Sequence, residues 1–123
     1  MIELRRGDVV LVAFPFVAGG EVRRKPRPAL VVQGDRYNTR RSAVILASIT
    51  TAQSHCHLAC KLPVSQASSE GRQAGLRTDS VIDCQTLVTI PREEILRRIG
   101  RFPPATMRHI DEALRDALGM APA

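Results

Sequence analysis

At 123 residues the chain fits one domain, spanning 1–123, and leaves no room for a second catalytic domain. Its 44% hydrophobic and 24% charged residues exclude disorder and low complexity. Eighteen Lys and Arg against 12 Asp and Glu give a formal charge of +6, which favours phosphate-bearing polymers as partners; a merely solvated basic surface is the alternative. Lysine occurs only at Lys25 and Lys61, so nearly all the positive charge sits on arginine, whose planar fork grips phosphate bidentately.

Arg5-Arg6 ahead of the apolar run from Val9 to Phe14 imitates an exported leader. Asp8 precedes the run, Pro15 interrupts it and no small-residue cleavage site follows, so a buried strand explains it better. No stretch reaches the ~18 to 20 apolar residues of a membrane span. Cys56, Cys60 and Cys84 are an odd number, which argues against a disulfide framework, and the expected compartment is the cytoplasm.

Asp8 to Phe14, Ala29 to Gln33 and Ala43 to Ile49 are rich in β-branched residues and apolar on both faces. Such strands need cover on two sides: a barrel interior on one, a helix or a partner subunit on the other. A homodimer is expected on that ground. Pro15 to Pro28 holds two Gly, three Pro and the basic cluster Arg23, Arg24, Lys25 and Arg27, and reads as a mobile binding loop. Gly34 to Ser42 reads as a shorter polar loop. Leu58 to Val64 predicts a brief edge strand and Ser65 to Gly75 a long connection.

Ser80 to Ile90 then predicts a strand bent near Thr86, and Ile95 to Phe102 a last strand with Gly100 near its end. From Pro104 to Leu118, Met107, Ile110, Ala113, Leu114, Ala117 and Leu118 repeat at helical spacing, with Pro104 suited to the first turn and Gly119 to the stop. Strands followed by one terminal helix predict a mainly β fold, an SH3-like antiparallel β-barrel with a C-terminal α-helix packed on it.

Five segments, in this order and spacing, resemble the MazF/PemK toxins: Arg6-Gly7-Asp8-Val9-Val10, Phe14-Pro15-Phe16, Arg27-Pro28-Ala29-Leu30-Val31-Val32, Ala47-Ser48-Ile49-Thr50, and Ile99-Gly100-Arg101 leading into Asp111-Glu112-Ala113-Leu114. The resemblance covers nearly the whole chain. It implies a homodimeric barrel and a metal-independent endoribonuclease that needs no cofactor and leaves a cyclic phosphate and a 5′-hydroxyl. The implied partners are single-stranded RNA, messenger RNA included, and a cognate antitoxin. By the same resemblance, the Arg of the Arg-Pro motif and the Thr ending the third strand are tied to cleavage; here they are Arg27 and Thr50. Three departures stand out. Val88 occupies a position where many members carry Arg, Gln85 one where some carry an acid, and Pro103 replaces the usual Ser, removing a helix cap worth about 1 kcal/mol.

Cutting RNA without a metal uses the ribose 2′-hydroxyl as nucleophile, so the protein need supply positioning, charge stabilisation and proton transfer. A guanidinium at position 27 suits charge stabilisation, and the Thr50 hydroxyl, donor and acceptor at once, can hold a phosphate oxygen or the nucleophile. The alternatives are a plain surface cation and a strand-end hydroxyl bonded to local backbone. RNA binding is expected of Arg23, Arg24, Lys25 and Arg77, helped by Arg40 and Arg41, with little aromatic stacking because only Tyr37 and three Phe are present.

Other groups are weaker candidates. Imidazole is suited to acid–base work near neutrality, but His55 and His57 alternate around Cys56, so they should face different ways. The same stretch to Cys60 has donors suited to zinc yet lacks the paired spacing of a finger or ribbon, and no metal site is expected. Asp79 and Asp83 read first as turn or salt-bridge residues. A non-enzymatic RNA-binding module on the same barrel, and a gyrase poison of the kind resembling CcdB, remain as alternatives; the latter class depends on a Trp-bearing tail that this chain lacks.

Overall fold

The computed structural model describes residues 2–122, apart from the side chains of Pro15 and Phe16. The strands are β1 (Asp8–Ala18), β2 (Glu21–Val31), β3 (Ala43–Thr50), β4 (Lys61–Val64), β5 (Ser80–Pro91) and β6 (Ile95–Arg101). All neighbours are antiparallel, in the order β4-β5-β3-β2-β1-β6.

Strand alternation sorts the apolar residues into two cores. Val10 and Val12, Ala29 and Val31, and Val44 and Leu46 point one way, and meet Leu4, Ile95, Val88 and Ile90. Because β5 and β6, the strands flanking the turn of 3₁₀ helix Arg92–Glu94, both feed this cluster, the sheet curls around it as a barrel interior. Val9, Leu30, Ala47 and Ile49 point the other way and are covered by the terminal helix α3 (Pro104–Leu118) through Ile110 and Ala113, with Phe102 beneath. Both apolar faces are thus covered within one chain, which the sequence left open between a helix and a second subunit. Helix α3 starts at Pro103 without a side-chain cap, as the missing Ser implies, and stops at Gly119 in the left-handed conformation (φ 70°).

The bend in β5 falls where predicted. Ala47 pairs with Leu87 but Ser48 with Asp83, leaving Cys84, Gln85 and Thr86 looped out of the β3 ladder. The Asp83 carboxylate holds that bulge by accepting from the Gln85 N–H and the Thr86 hydroxyl.

Three loop expectations are corrected. Pro15 to Pro28 is no loop: β1 and β2 run on as a ladder from Ala13–Pro26 to Ala18–Glu21, turning at Gly19-Gly20, whose φ of 60° and 80° fit a type I′ turn. Gly34 to Ser42 contains the short helix α1 (Asp35–Asn38). Ser65 to Gly75 contains α2 (Ser69–Gln73), capped by Ser68 accepting from the Gly71 N–H at 3.0 Å. Arg92, buried at the mouth of the barrel, donates to the carbonyls of Asn38, Ile2 and Arg41 and pins α1 to the chain start.

Candidate active site

The sequence Pro26-Arg27-Pro28 decides where the sheet opens. Two prolines without N–H groups cannot continue a ladder on both sides, and β2 pairs with β3 only over Ala29–Val31. Ala29 faces Ser48 and Leu30 faces Ala47; carried two residues further, that register sets Arg27 opposite Thr50 on strands that have already parted. The gap between them is part of a groove of about 530 Å³. Arg27, Thr50, Lys25 and Arg77, four of the six predicted site residues, line it, together with Arg97, which sequence reasoning missed.

The far wall is brought in by two glycines. Gly75, at φ 75°, follows α2, and its Cα lies against the backbone carbonyl of Ile99 in β6. Gly100 lies against Gln73 and Ala74, so tightly that a Cβ there would stand 2.5 Å from the Ala74 carbonyl oxygen. This contact seats Gly75 to Thr78 beside β6 and makes Arg77 and Arg97 share one groove.

The floor is apolar, with Leu11, Pro28, Ile49 and Ile99, and hydroxyls of Thr50, Thr51, Thr78 and Ser80 stand on the walls. No carboxylate or imidazole is among the described lining residues. Among the described residues, none of Lys25, Arg27, Arg77 and Arg97 is in an ion pair. Four cations without counter-charges, clustered over a concave surface, make a field suited to a polyanion. Thr50 Oγ1 accepts from the Ala52 N–H at 3.1 Å, the local bond weighed above as an alternative, yet its O–H and second lone pair stay available.

The remaining predicted residues lie elsewhere. Arg23 pairs with Glu21 at 3.7 Å, and Arg24 with Glu94 at 3.5 Å while donating to the Ala13 carbonyl at 3.1 Å. Both sit on the hairpin outside the groove lining. Arg40 and Arg41 flank a separate depression beside Arg92. Asp79 accepts from the Gln66 N–H, and Asp83 pairs with Lys61, so both are structural turn and ion-pair residues. His55 and His57 do not face apart: a left-handed His55 (φ 58°) turns their rings to 6.2 Å between centroids, in a loop away from the groove. Among the described residues no three His, Cys, Asp or Glu side chains gather as a metal centre would require.

Two titrating groups are shifted. The Arg6 backbone N–H bonding Asp35 at 2.6 Å holds that carboxyl below its usual range. Burial, reinforced by the neighbouring Asp83 charge, pushes the Cys84 thiol up to about 12. Neither faces the groove.

Residues 5–118 match the family model described as PemK-like, MazF-like toxin of type II toxin-antitoxin system. A protein of Mycolicibacterium smegmatis named probable endoribonuclease MazF is 30% identical over 96% of this chain and 99% of its own length. Endoribonuclease EndoA of Bacillus subtilis is 30% identical over 95% of this chain and 96% of its own. Among solved structures, an endoribonuclease in complex with its cognate antitoxin from a mycobacterial species shares the fold with a TM-score of 0.73 at 22% identity, covering 98% of this chain and 99% of that one. A Deinococcus radiodurans MazE-MazF structure gives a TM-score of 0.72 at 17% identity, covering 98% of this chain and 100% of that one. With the barrel, the helix and the Arg-Pro strand all in place, this chain belongs to the PemK-like, MazF-like toxin family of type II toxin-antitoxin systems.

Proposed function

We propose that this chain is an endoribonuclease toxin that cuts single-stranded RNA, messenger RNA included, by attack of the ribose 2′-hydroxyl and without a metal ion. The observation that carries the reading is the groove itself: cations and hydroxyls around a strand gap, with the β2–β3 register carried on setting Arg27 opposite Thr50 and no carboxylate among the described lining residues.

In the reaction the 2′-oxygen bonds to phosphorus and the bond from phosphorus to the 5′-oxygen breaks, leaving a cyclic phosphate and a 5′-hydroxyl. Negative charge builds on the non-bridging oxygens in the transition state, where Arg27 binds them most strongly. Thr50 orients a phosphate oxygen or the 2′-hydroxyl. Lys25 and Arg77 hold flanking phosphates, while Arg23 and Arg24 on the hairpin steer the approaching chain. The apolar floor offers bases a surface in place of stacking aromatics.

The same reading includes a cognate antitoxin that lays an acidic and apolar segment across this groove, since a surface built for phosphate also attracts carboxylates. It also includes a homodimer in the cytoplasm. The described chain has no helix long and apolar enough to cross a membrane. Val17, Val22 and Ile45 leave exposed apolar surface for a second copy to cover.

Incubation of the purified protein with a long RNA in EDTA, followed by end mapping, tests the proposal. Discrete cuts with 5′-hydroxyl ends are expected. RNA retention without cutting would identify a binding module instead, and inhibition of DNA gyrase alone a poison of that enzyme.

A further inference from the structure

The third cation wall of the groove depends on an irregularity in β6. Val12 pairs with Ile95, but the next residue of β1, Leu11, pairs with Arg97, so Leu96 is an extra residue bulged out of the ladder. Cross-strand partners in an antiparallel pair share a face, so the bulge sets Arg97 on the Leu11 face. Without it Leu96 would stand there. Leu11 is also paired with Pro28, and Pro28, Leu11 and Arg97 form one row across three strands. Two strand spacings separate the ends of that row by about 10 Å.

Charge sets Arg97 apart from its neighbours. Arg98 and Arg101 lie within ion-pair distance of the buried Asp8, at 3.9 and 3.2 Å. Arg97 is exposed, lines the groove and has no ion-pair partner among the described residues. A bulge that aims an unneutralised guanidinium into a groove, on the same strand as two arginines whose charge a carboxylate offsets, is a binding device.

We propose that Arg97 is an RNA-binding residue that grips a backbone phosphate on the β6 side of the groove, across β1 from Pro28, and so fixes the path of the strand over the cleavage site. This rests on the RNA-cutting reading above. Arg97 binds ground state and transition state alike, so it acts on affinity and leaves the chemical step alone.

The test compares Arg97→Gln, Arg97→Lys and, as a control on the outer helix, Arg108→Gln. Binding is measured with a mixed-sequence 2′-O-methyl RNA oligonucleotide, which lacks the nucleophile and cannot be cut, across a salt series; cleavage is measured on a long transcript. For Arg97→Gln, affinity falls about tenfold at low salt and the slope of log affinity against log salt shrinks by about 0.7, the loss of one single-strand phosphate contact. KM rises by a similar factor while kcat stays within about twofold, and the thermal midpoint is unchanged. Arg97→Lys keeps the slope and recovers part of the affinity. Arg108→Gln leaves the slope as it was.

An unchanged slope in Arg97→Gln overturns the proposal, as does an equal change in Arg108→Gln or a loss confined to kcat. If the wild-type protein binds the oligonucleotide but cuts no RNA, the nuclease reading fails while the Arg97 slope still decides this one.

Discussion

Replacing Gly100 by Ala exchanges a hydrogen for a methyl group at a tight backbone contact in the groove wall. The new Cβ would stand 2.5 Å from the Ala74 carbonyl oxygen and closer still to Ala74 C and Gln73 O, all backbone atoms that cannot rotate away. Ordinary contact is about 3.5 Å, so the end of α2 must retreat by about 1 Å. That loosens Ala74 and Leu76, both buried in the outer core, and overpacking of this kind costs about 1 to 3 kcal/mol. For a domain of this size the thermal midpoint should fall by roughly 5 to 10 °C. Arg77, Thr78 and Ser80 line the groove just beyond the displaced turn. A shift of about 1 Å in groups that position substrate lowers rate by up to about 100-fold, so cleavage should fall more than stability alone explains. Gly34→Ala is the matched control, because its Cβ meets nothing within 4 Å and its φ of −62° suits any residue. Thermal melts and cleavage rates well below the Gly100→Ala midpoint separate the two effects. A variant as stable and as active as wild type would refute the claim that this glycine contact builds the groove.

Three further outcomes follow from other parts of the chain. Arg92→Met leaves the carbonyls of Asn38, Ile2 and Arg41 without their donor, and chemical denaturation should show a loss of about 3 kcal/mol, with Arg92→Lys restoring only part. The Cys84 thiol is raised when folded, so its contribution is complete below the unfolded value of about 8.5 and is lost as pH climbs toward about 12. Stability should therefore decline above about pH 9 more steeply in wild type than in Cys84→Ala, and native alkylation at pH 8 should label the partly exposed Cys56 before Cys60 or Cys84. Thr50→Ser keeps the hydroxyl and should retain appreciable cleavage, Thr50→Val keeps the shape and should be slow, and His55→Gln with His57→Gln should stay within a few fold, as rates on a long transcript will show.

What could be read from the sequence was what apolar periodicity records. The three two-faced strands, the bend near Thr86 and the terminal helix each bury a patterned set of side chains, and each lies where expected. The hairpin carrying Arg23, Arg24 and Lys25 escaped because its residues are exposed on both faces and show no alternation. Gly19-Gly20 was nonetheless a turn signal that a search for type I′ pairs would catch. Helices α1 and α2 have four and five residues, too short for a helical period to show; α1 is held through the buried Asn38, which hydrogen-bonds Gln33, and α2 through its Ser68 cap and the buried Gly71. Within the site, Arg27 and Thr50 rested on a resemblance, and the parting of β2 from β3 ahead of Ala29 gives a physical reason why both line one groove. Arg97 was illegible: three residues in a row, Leu96, Arg97 and Arg98, are exposed, and only the bulge decides which faces the groove.

The claim on which everything else depends is that Arg27 stabilises charge that appears in the transition state. Single-turnover cleavage of a long RNA by wild type and Arg27→Ala in EDTA, alongside affinity for the uncleavable 2′-O-methyl oligonucleotide, measures it directly. The rate should fall by about 100-fold or more, equivalent to roughly 3 kcal/mol, while affinity falls far less. Normal cutting by Arg27→Ala, or a loss of affinity that accounts for the whole loss of rate, would contradict it.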